Sequence, residues 1–187
     1  PEEDGGQGRS LIDAIIVMEE LAKVCPHTAD MFQVGNFGAI RQVAAYGSKE
    51  LKQRVLPPIL AGEKLISVAM SEPNAGSATT DLQTTARIQG DKVIINGSKV
   101  FNTHGPYNSY YVVWVRFGDS VKSSGAVLVE RDAPGLTLGK PEKHMSGEVH
   151  CALYFENCEV PVGNILVPED GFRKLFTMFK WDRIGNA

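Results

Sequence analysis

From Leu11 the apolar residues recur at Ile12, Ile15, Ile16, Met18 and Leu21. That spacing of three to four residues belongs to one face of an α-helix. Ser10, followed three residues on by Asp13, supplies an N-terminal cap, and Pro26 marks the stop. A second helix is expected from about Ala29 to Tyr46, weakened by Gly35 and Gly38 and ended by Gly47. Ser48 then caps a third, KELKQRVL, which Pro57 and Pro58 should terminate. After Gly62 the period changes. LISVAM, TTARIQG, KVIINGSKVF, YYVVWVRF, GAVLVE, LTLG and HCALYFENCEV are short runs rich in Val, Ile, Tyr, Phe and Thr. Gly, Asn, Asp or Pro separates them, as expected of strands in an antiparallel sheet or barrel. Gln89-Gly90-Asp91 reads as a hairpin turn. From Gly171 the helical spacing returns with Phe172, Leu175, Phe176 and Phe179.

The order therefore predicts an α+β chain: helices, then an antiparallel β-barrel-like domain, then the start of another helix. The expected boundaries are 1–64 for the helices, 65–170 for the β domain and 171–187 for the final helical segment. That last segment carries no stop signal, and both ends read as truncated elements.

The 187 residues are 43% apolar and 22% charged, enough material for a buried core. A net charge of −3 offers no basic stripe, so nucleic-acid binding is not expected. No apolar run is long enough to span a membrane. No signal peptide is visible, but the chain opens on Pro1 rather than Met, so a leader segment is left open. The three cysteines, Cys25, Cys151 and Cys158, form no CxxC pair and fit reduced thiols in a cytosol-like compartment. His144, Glu148, His150 and Cys151 match no zinc spacing. They are expected to be scattered surface residues, and no metal is expected.

One stretch resists both periods. Met70-Ser-Glu-Pro-Asn-Ala-Gly-Ser77 leaves a strand carrying two serine hydroxyls, several free backbone N–H groups and a glycine at 76. Such a loop can embrace a flat polar ligand or a phosphate, and Gly76 would let a backbone approach it. It can equally be a wide solvated connection. Neither a P-loop nor a GxGxxG motif is present.

VAMSEPNAGS (68–77) resembles the flavin-binding signature of the acyl-CoA dehydrogenase family, a Thr or Ser before Glu-Pro and then x-Ala-Gly-Ser. PEEDGGQG resembles that family's PEEYGG segment, and INGSKVFNTHG its ING-K-WITNG segment. APGLTLG resembles its TPG-x-x-x-G strand, VPVGNIL its VP-x-x-N-x-L, and GFRKLFTMFKWDR the first helix of its C-terminal domain. The six segments follow in the family's order and cover essentially the whole chain.

The resemblance implies FAD as cofactor and an acyl-CoA thioester as substrate. The implied reaction is α,β-dehydrogenation, with hydride passing to flavin N5. It also implies an electron-transfer flavoprotein as partner, a homo-oligomer (tetramer or dimer) when full length, and a bacterial cytoplasmic or mitochondrial-matrix location. Met70 and Ser71 match the positions along the flavin pyrimidine edge, where donors stabilise negative charge, and Val68 and Ala69 before them count among the cofactor-binding residues. Gly76 and Ser77 match the loop near the cofactor phosphates, and Ser77 also the acyl-CoA. Thr103 matches the hydroxyl facing N5. Phe101 stands for the usual tryptophan over the flavin, and Asn102 for an isoleucine. Arg183, with Asp182 beside it, matches a substrate-side arginine. The family's base, typically a Glu, belongs to the C-terminal domain beyond this chain. No catalytic residue is therefore assigned, and Glu72 is taken as part of the cofactor signature. The chain alone is expected to be inactive and to bind FAD weakly. GSATTDLQT, KVFNTHG and HMSGEVH also resemble a subgroup that includes an acyl-CoA desulfinase, which uses FAD without the dehydrogenase base. A non-enzymatic flavin-fold interaction protein is the remaining alternative.

Overall fold

The computed structural model describes residues 1–145 and 147–185, and only the backbone of 181, 182 and 184. Four helices come first: α1 Leu11–Val24, α2 Pro26–Asn36, α3 Ala39–Tyr46 and α4 Lys49–Leu60. Nine strands follow: β1 Ile66–Ala69, β2 Thr85–Gln89, β3 Lys92–Thr103, β4 Tyr110–Arg116, β5 Ser124–Glu130, β6 Leu136–Leu138, β7 Glu142–Lys143, β8 Val149–Pro161 and β9 Ile165–Val167. Helix α5, Gly171–Gly185, ends the described chain.

Ser10 and Asp13 cap α1 reciprocally, with the Asp13 N–H on Ser10 Oγ at 3.2 Å and the Ser10 N–H on Asp13 Oδ2 at 2.9 Å. The single helix expected over 29–46 is two. Phe37 leaves the helix with an extended backbone and is fully buried, and Gly38 follows at φ 55, ψ −117. Only glycine takes that conformation readily, so the break falls there, while Gly35 stays inside α2. Helix α4 also departs from expectation, running through Pro57 and Pro58 to Leu60. Its apolar face explains the persistence. Val55, Leu56 and Ile59 are buried against the sheet, and each such side chain contributes about 1.5–3 kcal/mol, enough to offset the missing N–H donors.

The strands run in the order β6-β8-β3-β2-β4-β5-β9, with β1 on β4 and β7 on β8. Most pairs are antiparallel, and the β2–β3 hairpin turns at Gly90-Asp91 as expected. Two pairings were not anticipated: β1 lies parallel to β4, and β2 meets β4 in parallel at Thr85 and Arg116. The path has two ends, so the sheet is wrapped rather than closed into a barrel. Strands β4 and β5 are buried on both faces, which is why YYVVWVR reads as an unbroken apolar run. Tyr110, Val112, Trp114, Ala126 and Leu128 pack under α3, α4 and α5. Tyr111, Val113, Val115, Val127 and Val129 face the residues of β3 and β8 in a second cluster. Phe172 and Phe176 of α5 meet Trp114 edge-on, at 6.1 and 5.2 Å between ring centroids.

The long β3–β8 ladder shifts register twice, between Ile95 and Gly97 and between Lys99 and Asn102. At the first shift β8 holds the extra residue, and Asn157 takes φ 47. At the second β3 holds it, and Phe101 takes φ 56. Each is a bulge with a left-handed residue. The second changes which residues face inward. Lys99 is buried, Phe101 is 63% exposed, and Asn102 is buried again.

Candidate functional site

The loop after β1 is organised by one buried carboxylate. Glu72 accepts from the backbone N–H of Gln83 at 2.5 Å, the N–H of Thr84 at 3.0 Å and Lys99 Nζ at 2.7 Å. Lys99 Nζ also donates to the Met70 carbonyl at 3.0 Å. Both side chains are almost wholly buried. Glu72 and Ala75 exchange a backbone pair, and Val100 N–H donates to the Ser71 carbonyl at 2.9 Å. The loop is thus stapled to β3. Burial alone would raise the Glu72 pKa. The Lys99 charge, with the hydrogen bonds from Lys99, Thr84 and Gln83, outweighs it and holds the carboxyl below its ordinary value. Burial draws Lys99 down to about 8, with Glu72 opposing the fall. With three donors on its oxygens, Glu72 is a structural anchor rather than a poised base.

Beside this loop opens a cleft of about 240 Å³. Val68, Met70 and Ser71 form its floor, and Phe101 and Thr103 of β3 form one side. Asp30, Gln33 and Val34 of α2, with Phe37 and Gly38 at the helix break, form the other, and Phe179 of α5 closes an end. The lining mixes apolar side chains with polar groups: Asp30 and Gln33 on the helical side, and Ser67, Ser71 and Thr103 on the sheet side. That combination suits a flat ring with polar edges. The volume suits part of a dinucleotide rather than the whole. The bulge in β3 places Phe101 and Thr103 on the cleft side of the strand. Behind Thr103, buried Asn108 donates through Nδ2 to the Thr103 carbonyl at 2.9 Å and to Ser67 Oγ at 2.8 Å.

Of the residues singled out from sequence, the structure brings Val68, Met70, Ser71, Phe101 and Thr103 to this cleft. Ala69 is buried on the opposite face of β1, in the cluster with β3 and β8. The Asn102 side chain does not make the cleft edge polar. The bulge turns it inward, where Nδ2 donates to the Cys151 carbonyl at 3.4 Å. Gly76 and Ser77 are exposed, and a Cβ on Gly76 would meet nothing within 4 Å among the described residues, so no close approach is seen there. Arg183 is exposed in the last turn of α5, and the Asp182 side chain lies outside the described residues. Sequence reasoning missed the whole helical wall, the Lys99 anchor and Asn108. Only Lys99 left a trace, as a cation followed by Val100 and Phe101 in the middle of a strand.

Residues 1–63 match the family model described as acyl-CoA dehydrogenase, N-terminal domain, and residues 67–158 that of the acyl-CoA dehydrogenase middle domain. The human mitochondrial short-chain specific acyl-CoA dehydrogenase is 36% identical over 192 residues, covering 100% of this chain and 47% of that protein. The butyryl-CoA dehydrogenase of Megasphaera elsdenii superposes with a TM-score of 0.91 at 30% identity, over 99% of this chain and 51% of its own. A structure described as the electron transferring flavoprotein of Acidaminococcus fermentans superposes with a TM-score of 0.93 at 36% identity, over 99% of this chain and 50% of its own. The chain spans about half the length of the relatives it matches.

Proposed function

The chain belongs to the acyl-CoA dehydrogenase family, and from that premise we propose that the whole protein is an FAD-dependent dehydrogenase of acyl-CoA thioesters. The observation that carries the proposal is the cleft itself, which Ser71 and Thr103 line together with Val68, Met70 and Phe101. Bound FAD would supply the acceptor for the hydride leaving the β carbon. Met70 and Ser71 would hold the polar edge of its ring, where donors stabilise accumulating negative charge. Thr103 would present its hydroxyl to the reactive face of the ring. Phe101, exposed and turned toward the cleft, would cover the ring and exclude water. Gly76 and Ser77 belong to this proposal as the approach to the cofactor phosphates, and Ser77, Asp182 and Arg183 as substrate-side groups. The β-carbon hydride leaves only if the α proton is also taken. Since Glu72 is committed to Lys99 and two amides, the base lies elsewhere in the whole protein. An electron-transfer flavoprotein is proposed as the electron acceptor and a homo-oligomer as the working assembly.

The test is direct. Full-length protein should purify with flavin absorbance, and an anaerobic panel of short acyl-CoA thioesters should bleach it. Release of sulfite from a sulfinated acyl-CoA without bleaching would replace dehydrogenation by desulfination. Absence of bound flavin after reconstitution with FAD would overturn the proposal.

A further inference from the structure

All four histidines of the sequence gather at the seam between α2 and the β7–β8 hairpin, and His144, Glu148 and His150 sit together there rather than scattered as expected. His27 and Asp30 come from α2, His104 follows β3, and His144, Glu148 and His150 come from the hairpin. His104 is 3% exposed, and its Nε2 lies 2.8 Å from Asp30 Oδ2. The His27 ring meets it edge-on at 5.8 Å, and the His144 and His150 rings lie 3.9 Å apart. The Glu148 carboxyl faces Asp30 and interacts with it electrostatically. Burial opposes ionisation of Asp30, but the hydrogen bond with His104 and the interaction with Glu148 outweigh it and hold the carboxyl below its ordinary value. Asp30 is therefore an acceptor, and His104 Nε2–H is the donor.

His104 sits directly after Thr103 in the left-handed region, at φ 53, ψ 21. Its carbonyl accepts from the N–H of Tyr107 at 2.8 Å and of Asn108 at 3.1 Å. Asn108 then returns its side-chain amide to the Thr103 carbonyl. Thr103 is thus held between a bulge on one side and a left-handed residue on the other, and both conformations carry strain for residues with a Cβ. A carboxylate on another element fixes the second of them. Asp30 also lines the cleft that Thr103 lines.

We infer that His104, anchored on Asp30 of α2, is a positioning residue that fixes the Thr103 hydroxyl in the cleft. The inference rests on the proposal that this cleft takes the flavin ring. Helix α2 then sets the cleft in two ways, as a wall and as the anchor of the strand end opposite it.

The experiment compares His104→Asn, Asp30→Asn and Thr103→Ala in the full-length protein. Asparagine tolerates the left-handed backbone but is too short to reach Asp30, so His104→Asn removes the anchor and keeps the turn. Melting temperature, FAD dissociation constant, bound-flavin absorption spectrum and amide exchange at Asn108 are measured. For both anchor variants the expected results are a near-native melting temperature, faster exchange at Asn108, FAD binding weaker by about tenfold and a shifted flavin spectrum. Thr103→Ala should shift the spectrum in the same direction. If Thr103→Ala shifts spectrum and affinity while the anchor variants bind FAD as wild type does, the positioning role is overturned and the flavin proposal stands. If Thr103→Ala itself changes neither, the placement of Thr103 against flavin falls and the inference falls with it. Should one anchor variant fail to fold, the other decides. Failure of both to fold assigns the pair to stability alone and overturns the inference.

Discussion

Replacing Lys99 by methionine tests the physical account of the loop most sharply. Methionine fills a similar volume and removes the cation from beneath Glu72 and the donor from the Met70 carbonyl. The Glu72 carboxylate would remain buried on the Gln83 and Thr84 amides without a counter-charge. Leaving one partner of a buried pair unpaired costs about 3–5 kcal/mol. Glu72→Gln removes the other partner and strands the Lys99 ammonium, at a similar cost. The double variant Glu72→Gln/Lys99→Met contains no buried charge, so its loss should fall well short of the sum of the two single losses. A coupling of about 1–3 kcal/mol in the double-mutant cycle is expected. Urea denaturation followed by circular dichroism measures all four proteins, and amide exchange at Gln83 and Thr84 reports the loop itself. The pair also predicts an acid limit. The folded Glu72 pKa lies below its unfolded value of 4.5. Its contribution is therefore complete above pH 4.5 and lost as pH falls through the folded value. In Glu72→Gln that segment of the pH–stability curve should be flatter. A Lys99→Met protein within 1 kcal/mol of wild type, or singles that simply add, would refute the account.

Three further outcomes follow from particular positions. Thr103→Ala, loaded with FAD, should reduce more slowly in stopped-flow, by the equivalent of about 1–3 kcal/mol for one hydrogen bond to a charge-developing group. Gly38→Ala should destabilise by about 1–3 kcal/mol in thermal melts, because φ 55 with ψ −117 is closed to a residue with a Cβ. A neutral effect there would mean that the α2–α3 break does not depend on that conformation. Glu148→Gln should stabilise slightly near neutral pH, by less than about 1 kcal/mol, since solvent screens the partly exposed carboxylate. Burial first, and then the Asp30 charge, raises the Glu148 pKa, so its favourable protonated form is complete below 4.5 and lost as pH rises through the folded value. The amide keeps a donor toward Asp30 at every pH, and the gain should vanish below pH 4.5.

Much of this architecture was legible locally. The Ser10–Asp13 cap, the helical start at Leu11, the Gly90-Asp91 hairpin and the doubly buried β4 all follow from a few adjacent residues. What the sequence hid was settled by contacts between distant segments. The prolines of α4 signal a stop, but packing of Val55, Leu56 and Ile59 carries the helix through them. The parallel pairing of β1 with β4 joins residues more than forty positions apart and has no local signature. At the site, the motif picked out Ser71 and Thr103, which line the cleft, but the Asn102 side chain turns inward instead of toward the cleft edge. Alternation alone cannot report an inserted residue, and the bulge at Phe101 inverts it. The helical wall was invisible because Asp30, Gln33 and Val34 lie in a helix whose own period says only which side is buried.

The two bulges of the β3–β8 ladder have a consequence for how chains of this kind are compared. Asn157 is an extra residue on one strand and Phe101 an extra residue on the other. Dropping Asn157 would let Asn96 pair with Glu156 while the residues on either side kept their partners. Dropping Phe101 would leave Asn102 opposite Cys151 and still facing inward, with Thr103 following on the cleft side. Neither deletion turns a core side chain outward, whereas losing one residue elsewhere in the ladder would invert every position up to the next turn. These are the two points in the ladder where an alignment can carry a one-residue gap without implying a different core. They differ in what the gap removes. At Asn157 the loss is an exposed cross-strand contact with Asn96. At Phe101 it is an aromatic wall of the cleft, so chain length at that position is a marker of what the cleft can hold.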